Sequence, residues 1–262
     1  MIGLLPVYMD HMTDRTLRTR LADGEVVVGS FQTIDSPMVS EIMAAAGLDF
    51  VIVDQEHGPL SAREVLTHSM AAQRAGAASV VRVRSNDEAE IQRALDVGAD
   101  AVEIPQIETA ADARAAVSGA RFDPLGERGL NPYVRAAGYD GDDAYTDEQN
   151  ESVAVIVHVE GEEAIRNLDE IMSIEGIDVL FLGPYDLSQS IGVPGQVTDP
   201  RVVDMMEDAC RRAERHDKIV GTYADDPAMA SRWIDAGVQF IALSVDAPVL
   251  LRGYGDLVSS FE

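Results

Sequence analysis

The feature that most constrains the fold of this chain of 262 residues is a regular alternation of short β-rich runs with helical patterns. Helical segments that begin near a proline or a capping polar residue and end at glycine separate the runs. The runs are rich in apolar, β-branched residues, and they are Val26–Phe31, Phe50–Asp54, Ser79–Val83, Ala101–Ile104, Val153–Glu160, Val179–Leu182, Lys218–Tyr223 and Phe240–Val245. Eight βα units in a chain of this length predict one domain, residues 1–262, folded as a (β/α)8 TIM barrel with parallel strands.

The connections between the units carry their own pattern. The segments "AGLDF", "VGADA", "EGIDV" and "AGVQF" each end a helix with glycine and start the next strand, as a left-handed helix cap followed by a short loop would. One connection, Arg121 to Asn150 between the fourth and fifth strands, is long and irregular. Long loops in compact domains usually carry function.

The composition excludes several classes of partner. A formal charge of −26 would repel nucleic acid and anionic membranes, and no apolar run approaches the roughly 18–20 residues of a membrane span. The single cysteine, Cys210, excludes an intramolecular disulfide and suits a reducing compartment. The first ten residues, "MIGLLPVYMD", lack the basic start of a secretory signal. We therefore expect a cytoplasmic protein.

The chain contains a single lysine, and the other 19 of its 20 lysine and arginine residues are arginine. Such a lysine-poor, aspartate-rich composition resembles that of proteins from high-salt cytoplasm, although an ordinary acidic enzyme is the alternative. The only lysine, Lys218, begins the predicted seventh strand and is therefore expected at the barrel end opposite the usual active site. This position excludes a Schiff-base aldolase and a pyridoxal-phosphate enzyme. Carbanion chemistry in this chain would need a metal ion instead.

Polar residues follow several predicted strands at the end where barrel active sites lie. They are Asp54, Glu56 and His57 after the second strand, Arg82 and Arg84 at the third, His158 and Glu160 at the fifth, and Asp186 after the sixth. Glu160 and Asp186 predict a carboxylate pair for a hard divalent cation, Mg²⁺ or Mn²⁺. The alternative is that both merely cap the helices that follow them. A closed zinc site is not expected, because no cysteine lies nearby.

Two further residue types at these strand ends suggest acid–base and anion chemistry. His57 is a candidate general base whose ring Asp54 would hold, and a solvated loop histidine is the alternative. Arg82 or Arg84 is a candidate clamp for a carboxylate or an oxyanion. The choice between the two arginines stays open, because they share one strand face, and either could instead form a structural ion pair. Cys210, inside a helical run, is expected to be a small core residue.

These residues lie within segments that resemble a known family. The segments are "VDQEHGP", "VVRVRSNDEAEIQRALDVGADAVEIPQIET", "GERG", "HVEGEEAIRNLDEI", "EGIDVLFLGPYDLS" and "ALSVDAPVL". In order and spacing they resemble the metal-dependent 2-oxo-acid aldolases of the HpcH/HpaI family, from about Leu21 to Leu250. The resemblance implies that the enzyme reversibly cleaves a 4-hydroxy-2-oxo acid to pyruvate and an aldehyde.

The resemblance also implies roles for individual residues. His57 would accept the substrate proton, and Arg82 rather than Arg84 would stabilise the pyruvate enolate. Asp96 would support the basicity of His57, together with Asp54, from a neighbouring subunit. The divalent metal, Mg²⁺ or Mn²⁺ with Co²⁺ as a further candidate, would be held by the pair already described, Glu160 and Asp186.

Further residues of the resemblance concern substrate binding. Gly183, Pro184 and Tyr185 in "GPYDLS", together with His158, would contact the substrate. Two of them depart from the family pattern, which commonly has glutamine at the position of His158 and a small residue at that of Tyr185. His158 could then be a third metal ligand or a substrate contact, and the strand alternation favours the substrate contact.

The resemblance further implies a homo-oligomer, a trimer or a hexamer, in which the C-terminal helix "APVLLRGYGDLVSSF" packs on a neighbouring subunit. Alternative functions are a citrate-lyase-like cleavage of acyl-CoA, a transferase or cyclase that uses the same enolate, and a metabolite-binding barrel without catalysis. The expected partners are small molecules, a 2-oxo acid and an aldehyde.

Overall fold

The predicted alternation of strands and helices is present in the computed structural model, which describes residues 15–261. The parallel strands pair in chain order and close into a barrel. They are β1 (Val27–Gln32), β2 (Phe50–Asp54), β3 (Ala78–Arg82), β4 (Ala101–Ile104), β5 (Ala154–Val159), β6 (Val179–Leu182), β7 (Ile219–Ala224) and β8 (Phe240–Val245). The (β/α)8 barrel is therefore confirmed, and the strand ends differ from the predicted ones by at most one residue.

The helices of the described residues surround the barrel. They are α1 (Leu17–Ala22), α2 (Pro37–Ala45), α3 (Ala62–Arg74), α4 (Glu88–Asp96), α5 (Ala110–Ala120), α6 (Tyr145–Ser152), α7 (Glu162–Arg166), α8 (Leu168–Met172), α9 (Pro184–Ser190), α10 (Pro200–Arg215), α11 (Pro227–Asp235) and α12 (Asp246–Ser259). Proline begins α2, α9, α10 and α11, where its missing N–H costs no helical hydrogen bond. The repeated helix-ending glycines, Gly47, Gly98, Gly176 and Gly237, have φ angles between +83° and +98°. The predicted turn pattern is confirmed.

Two hydrophobic cores stabilise the barrel, one between the sheet and the helices and one inside the barrel. The inner core contains Phe50 and Phe240, whose rings stack at a centroid distance of 4.0 Å. Gly29 makes room for them, since a Cβ at Gly29 would lie 2.2 Å from the Phe50 ring. Aromatic side chains thus fill part of the barrel interior, and the polar residues lie at the carboxyl ends of the strands.

The long connection between β4 and β5 is more regular than the sequence suggested. It contains a single 3-10 turn, Arg135–Ala137, and ends in α6. Arg121, almost fully buried, donates hydrogen bonds to the carbonyl groups of Asn150 and Val153 at 2.9 and 2.8 Å. These contacts hold the connection at the amino end of the barrel, and the expectation that it carries a function stays a prediction.

The C-terminal helix α12 follows β8 and is apolar on its exposed surface. Only its first residue, Asp246, is buried. The exposed apolar side chains of this segment are Val249, Leu250, Leu251, Tyr254, Leu257, Val258 and Phe261. An exposed apolar surface of this kind usually marks a contact with another protein surface.

The remaining predictions concern Lys218, Cys210, membrane-spanning segments and the first ten residues. Lys218 directly precedes β7 and donates hydrogen bonds to the carbonyls of Ile174 and Ile177, both at 3.2 Å, so its predicted place at the amino end of the barrel is confirmed. Cys210 is buried in the core, as expected. Within residues 15–261 no helix is long and apolar enough to cross a membrane. The segment "MIGLLPVYMD" lies outside the described residues.

Candidate active site

A cavity of about 360 Å³ opens at the carboxyl ends of the strands. Its lining comprises Phe31, Thr33, Asp54, His57, Arg82, His158, Glu160, Phe181, Gly183, Pro184, Tyr185, Asp186, Tyr223 and Val245. Nine of the ten site residues predicted from the sequence are in this lining. The tenth, Asp96, lies elsewhere.

Arg82 is the central cation of the cavity. Its Nε and Nη2 donate hydrogen bonds to the two carboxylate oxygens of Asp54 at 2.8 and 2.6 Å, which is a bidentate pair. Its Nη1 lies 3.2 Å from Oε2 of Glu56, and its guanidinium stacks over the ring of Phe31 at 4.5 Å. Two of the five N–H groups of Arg82 are used in the hydrogen bonds to Asp54, and Nη1 faces Glu56 as an ion pair, so N–H groups remain for an anion in the cavity.

The structure contradicts the prediction that Asp54 holds the ring of His57. Both carboxylate oxygens of Asp54 bind Arg82, and one of them also accepts hydrogen bonds from the backbone N–H groups of Glu56 and His57 at 3.0 and 3.3 Å. Asp54 therefore shapes the loop that carries His57 but does not orient the imidazole. Asp54 pairs with Arg82 and not with the imidazole because the planar guanidinium group can donate to both carboxylate oxygens at once.

The imidazole of His57 lies at the mouth of the cavity. Its side chain is 71% exposed, and its Nε2 is 3.9 Å from Oε2 of Glu56. Burial raises the pKa of Glu56, although the charge of Arg82 opposes the shift. His57 is thus a solvent-accessible base next to a carboxylate, within the same cavity as Arg82.

The two predicted metal ligands lie next to the same residue, Gly183. A Cβ added to Gly183 would lie 3.4 Å from Oε2 of Glu160 and 3.5 Å from Oδ2 of Asp186. Partial burial, and then the negative charge of Glu160, raise the pKa of Asp186. A divalent cation between the two carboxylates would relieve this repulsion, so their position and chemistry fit a hard metal ion. Within residues 15–261 no group of three or more metal-ligating side chains occurs.

Glu160 is held in place from two sides. Its Oε1 accepts a hydrogen bond of 2.9 Å from the backbone N–H of Gln106, and its Oε2 contacts Nδ1 of His158 at 3.0 Å. Gln106 has a left-handed backbone with φ of 59°, unusual for a residue other than glycine, and its side chain also donates to Glu56 at 3.3 Å. Burial acts to raise the pKa of Glu160, but the hydrogen bond and charge of His158 outweigh it and lower the pKa.

Sequence reasoning missed Glu103, which lies directly behind the site on β4. It is fully buried, and one of its oxygens is hydrogen-bonded to Nε2 of His158. Its other oxygen has no partner among the described residues. The signal was present in the sequence as a lone glutamate inside the apolar strand "AVEI", because a charge in a buried strand needs a partner.

The contacts of His158 change its predicted role. Both ring nitrogens bind carboxylates, of Glu103 and Glu160, and the ring stacks on Phe181 at 4.5 Å. Burial acts to lower the pKa of His158, but the charge and hydrogen bond of Glu103 prevail and raise it to about 9. Neither the role of third metal ligand nor the favoured hydrogen bond to the substrate is seen in this arrangement, because both ring nitrogens are engaged by the two carboxylates.

Sequence reasoning also missed the polar end of β7. Tyr185, on α9, donates its hydroxyl to the carboxylate of Asp225, 2.9 Å from each oxygen. Tyr223, on β7, donates to the same carboxylate at 3.2 Å. The motif "TYADD" at the end of the seventh strand carried the signal, since polar residues there face the active-site end.

Two other predicted residues lie outside the cavity. Arg84 is paired with Glu90 at 3.1 Å on the surface, which resolves the choice between the arginines in favour of Arg82. Asp96 ends α4 and accepts a hydrogen bond of 2.8 Å from Arg128 of the long connection. Asp96 therefore does not contact His57 within one chain, and its predicted role at the His57 of a neighbouring subunit stays a prediction.

A parallel barrel with an arginine, a histidine and a carboxylate pair at its mouth suits the metal-assisted stabilisation of a developing negative charge. A family model described as HpcH/HpaI aldolase/citrate lyase matches residues 28–252. The chain belongs to the HpcH/HpaI aldolase/citrate lyase family.

Individual relatives agree with this assignment. A 2-keto-3-deoxy-L-rhamnonate aldolase from Salmonella gallinarum is 33% identical over 255 residues, which cover 97% of this chain and 96% of the relative. A family member from Burkholderia cenocepacia of known structure is 34% identical, with a TM-score of 0.90 over 94% of this chain and 98% of that one. An HpcH/HpaI aldolase from Desulfitobacterium hafniense is 31% identical, with a TM-score of 0.89 over 94% and 96%. The predicted enzyme class, an aldolase-type lyase, is confirmed.

Proposed function

We propose that the enzyme cleaves a 4-hydroxy-2-oxo acid reversibly into pyruvate and an aldehyde, with a divalent cation bound to Glu160 and Asp186. The observation that supports this most directly is the meeting of these two carboxylates with Arg82 and His57 in one cavity. A retro-aldol cleavage needs a base for the hydroxyl group and a positive environment for the enolate, and this cavity contains both.

The carboxylate pair suits Mg²⁺ or Mn²⁺, with Co²⁺ as a further candidate. Among residues 15–261 no third metal-ligating side chain joins this pair, so coordination positions are left for oxygen atoms of the substrate or of water. When bound, the cation would supply Lewis-acid stabilisation of the negative charge that develops on the 2-oxo group.

The side chains of this chain account for the proton and charge movements. His57 takes the proton of the C4 hydroxyl group, the C3–C4 bond breaks, and the electron pair of that bond passes into the pyruvate enolate while the aldehyde leaves. The protonated imidazole then gives its proton to C3 of the enolate, which forms pyruvate and restores the base. The N–H groups of Arg82 that Asp54 does not use stabilise the negative charge of the enolate oxygen. Asp54 keeps Arg82 in position through its bidentate pair. In the reverse direction, His57 removes a proton from the methyl group of pyruvate, the enolate attacks an aldehyde, and His57 returns the proton to the new hydroxyl oxygen.

The turn at the start of α9 is the proposed contact for the substrate carboxylate. Gly183 precedes the helix, Pro184 is its first residue, and Tyr185 follows. The N–H groups of a first helical turn have no intrahelical partner, so the backbone N–H of Tyr185 can bind an anion. Gly183 has no side chain, and a Cβ there would lie 3.0 Å from the Cβ of Glu160. This explains why the turn can approach the ligand pair so closely.

We also propose a homo-oligomer, a trimer or a hexamer, in a cytoplasm of high salt. The exposed apolar side chains of α12 support an assembly, because they would otherwise face water. Asp96 is bound to Arg128 away from the cavity, so a role for Asp96 at His57 requires a neighbouring subunit.

A pyruvate-release assay tests the proposed reaction. Chelator-treated enzyme should lose the cleavage of 4-hydroxy-2-oxo acids, and Mg²⁺, Mn²⁺ or Co²⁺ should restore it. Lys218→Arg is the matched control and should stay active, because the amine lies at the opposite end of the barrel. A pyruvate adduct trapped on Lys218 by borohydride would contradict the proposal.

The same assay separates the alternatives. A citrate-lyase-like enzyme would release product only from acyl-CoA substrates, and a transferase or cyclase would consume pyruvate with electrophiles other than aldehydes. The acidic chain, with its charge of −26, offers little attraction for the phosphates of CoA. Pyruvate release from a simple 4-hydroxy-2-oxo acid therefore favours the aldolase.

A further inference from the structure

The cavity has a second polar region besides the carboxylate pair, at the ends of β6 and β7. Tyr185 and Tyr223 both line the cavity, and both hydroxyl groups donate to the carboxylate of Asp225, which is not itself part of the lining. The two rings pack edge to face, with centroids 5.7 Å apart. This cluster takes no part in the proton and charge movements proposed above.

The hydrogen-bonding capacity left in the cluster defines what it can bind. Each tyrosine has used its one proton on Asp225, so its oxygen keeps only acceptor sites, and the carboxylate of Asp225 also keeps unused lone pairs. Burial, and then the charge of Asp225, raise the pKa of Tyr223, and burial followed by the hydrogen bond to Asp225 raises that of Tyr185. Both hydroxyl groups therefore stay protonated. The cluster is a negatively charged array of acceptors.

We propose that Tyr185, Tyr223 and Asp225 form the subsite for the aldehyde part of the substrate and select a neutral, hydroxylated aldehyde over one that carries a carboxylate. This inference rests on the proposed aldol reaction. Hydroxyl groups donate to an acceptor array, whereas a second carboxylate would be repelled by Asp225 and would leave the tyrosine oxygens without donors.

The cations near the cavity are consistent with this selection. Arg82 is engaged by Asp54 and Glu56 on the β2–β3 side. Arg252, on α12, donates to the hydroxyl of Ser244 at 2.7 Å and is not part of the cavity lining. A carboxylate on the aldehyde would have to recruit Arg252 from this bond, so a preference for anionic aldehydes is the outcome that would contradict the proposal.

Two measurements distinguish a failure of the subsite from a failure of the proposed reaction. The first is the exchange of the pyruvate methyl protons for deuterium in D₂O with Mn²⁺, since this exchange needs enolate formation but no aldehyde. The second is the condensation of pyruvate with glyceraldehyde, with propanal, which has no hydroxyl group, and with succinic semialdehyde, which has a carboxylate. We expect exchange in the wild type and the highest kcat/KM for glyceraldehyde.

Variants then assign the selectivity to the cluster. In Asp225→Asn the preference for glyceraldehyde over succinic semialdehyde should fall about tenfold or more, because a hydrogen bond to a charged group and a repulsive charge are lost together. Tyr223→Phe should lower kcat/KM for glyceraldehyde and leave propanal unchanged. Asp226→Asn is the matched control, because the Asp226 carboxylate caps α11 by accepting from the N–H of Met229, whereas the two tyrosines donate to Asp225.

The possible results distinguish the proposed subsite from the proposed reaction. Normal pyruvate exchange in Asp225→Asn with the selectivity changed supports the subsite. Normal exchange with a wild-type preference for succinic semialdehyde, or with an unchanged preference in Asp225→Asn, overturns it. Absence of exchange in the wild-type enzyme overturns the proposed reaction and the subsite with it.

Discussion

At the scale of single residues, His57 has a proposed catalytic role, and its side chain makes few contacts with the rest of the protein. Its side chain is 71% exposed and contacts only a loop carboxylate at 3.9 Å. We expect His57→Asn to lower kcat by roughly 10²–10⁴-fold, the usual contribution of a general base, while the melting temperature stays close to that of the wild type. Pyruvate release and thermal unfolding monitored by circular dichroism measure the two effects.

His216→Asn is the matched control for this variant. His216 follows α10 and pairs with Asp169 at 3.5 Å, away from the cavity. It should keep full activity. Equal losses of activity in both variants would show that histidine replacement acts through folding and not through proton transfer.

Glu103 presents the opposite case, because it is fully buried and binds His158. Glu103→Leu should destabilise the fold by roughly 3–5 kcal/mol, the usual cost of leaving one buried charge without its partner. The double variant Glu103→Leu/His158→Gln removes both charges and should recover part of this loss. Urea unfolding of the single and double variants measures the coupling, and strictly additive losses would contradict a bound pair.

The same pair predicts how stability depends on pH. The pKa of His158 is about 9 in the folded protein, above the about 6.5 of a free histidine. The pair therefore contributes fully below pH about 6.5, and its contribution is lost as the pH rises through 9. In metal-free protein we expect the free energy of unfolding to fall by about 3 kcal/mol at most over this window. Urea unfolding should show a smaller decline in His158→Gln, and an equal decline would contradict the prediction.

At the scale of structural elements, the sequence predicts the strands to within one residue, because buried parallel strands are continuous β-branched runs. It also predicts which strand ends carry the site. The hydrogen-bond partner of each polar side chain is harder to predict. Asp54 is close in sequence to His57 and lies on the strand next to Arg82, and only the three-dimensional structure shows that it binds the guanidinium group of Arg82. Glu103 was missed because a strand of four residues is too short for its inward face to be recognised.

The helix α12 carries the prediction about assembly. Leu251→Asp/Leu257→Asp should dissociate the proposed trimer or hexamer, because each aspartate would place a charge within an apolar contact. Met38→Asp on α2 replaces an equally exposed apolar residue, 69% accessible, and serves as the control. Light scattering in concentrated KCl measures the mass, and a monomeric wild type would contradict both the assembly and a role for Asp96 at a neighbouring site.

At the scale of the whole molecule, the charge of −26 comes from 46 acidic residues against 20 lysines and arginines. Like charges repel one another in the folded state, and added salt screens this repulsion. We expect the melting temperature to rise as KCl increases from dilute to molar. Thermal unfolding across a KCl series measures it, and a melting temperature independent of KCl would contradict adaptation to high salt.

Lys218 offers a single lysine side chain for chemical labelling. It is the only lysine, half-buried beside the carbonyls of Ile174 and Ile177 at the amino end of the barrel. Its burial lowers the pKa of the amine, which favours the reactive neutral form. An amine-directed fluorophore or surface linker would therefore attach to the side chains at one known position, and would leave the mouth of the cavity facing away from the dye or the solid support.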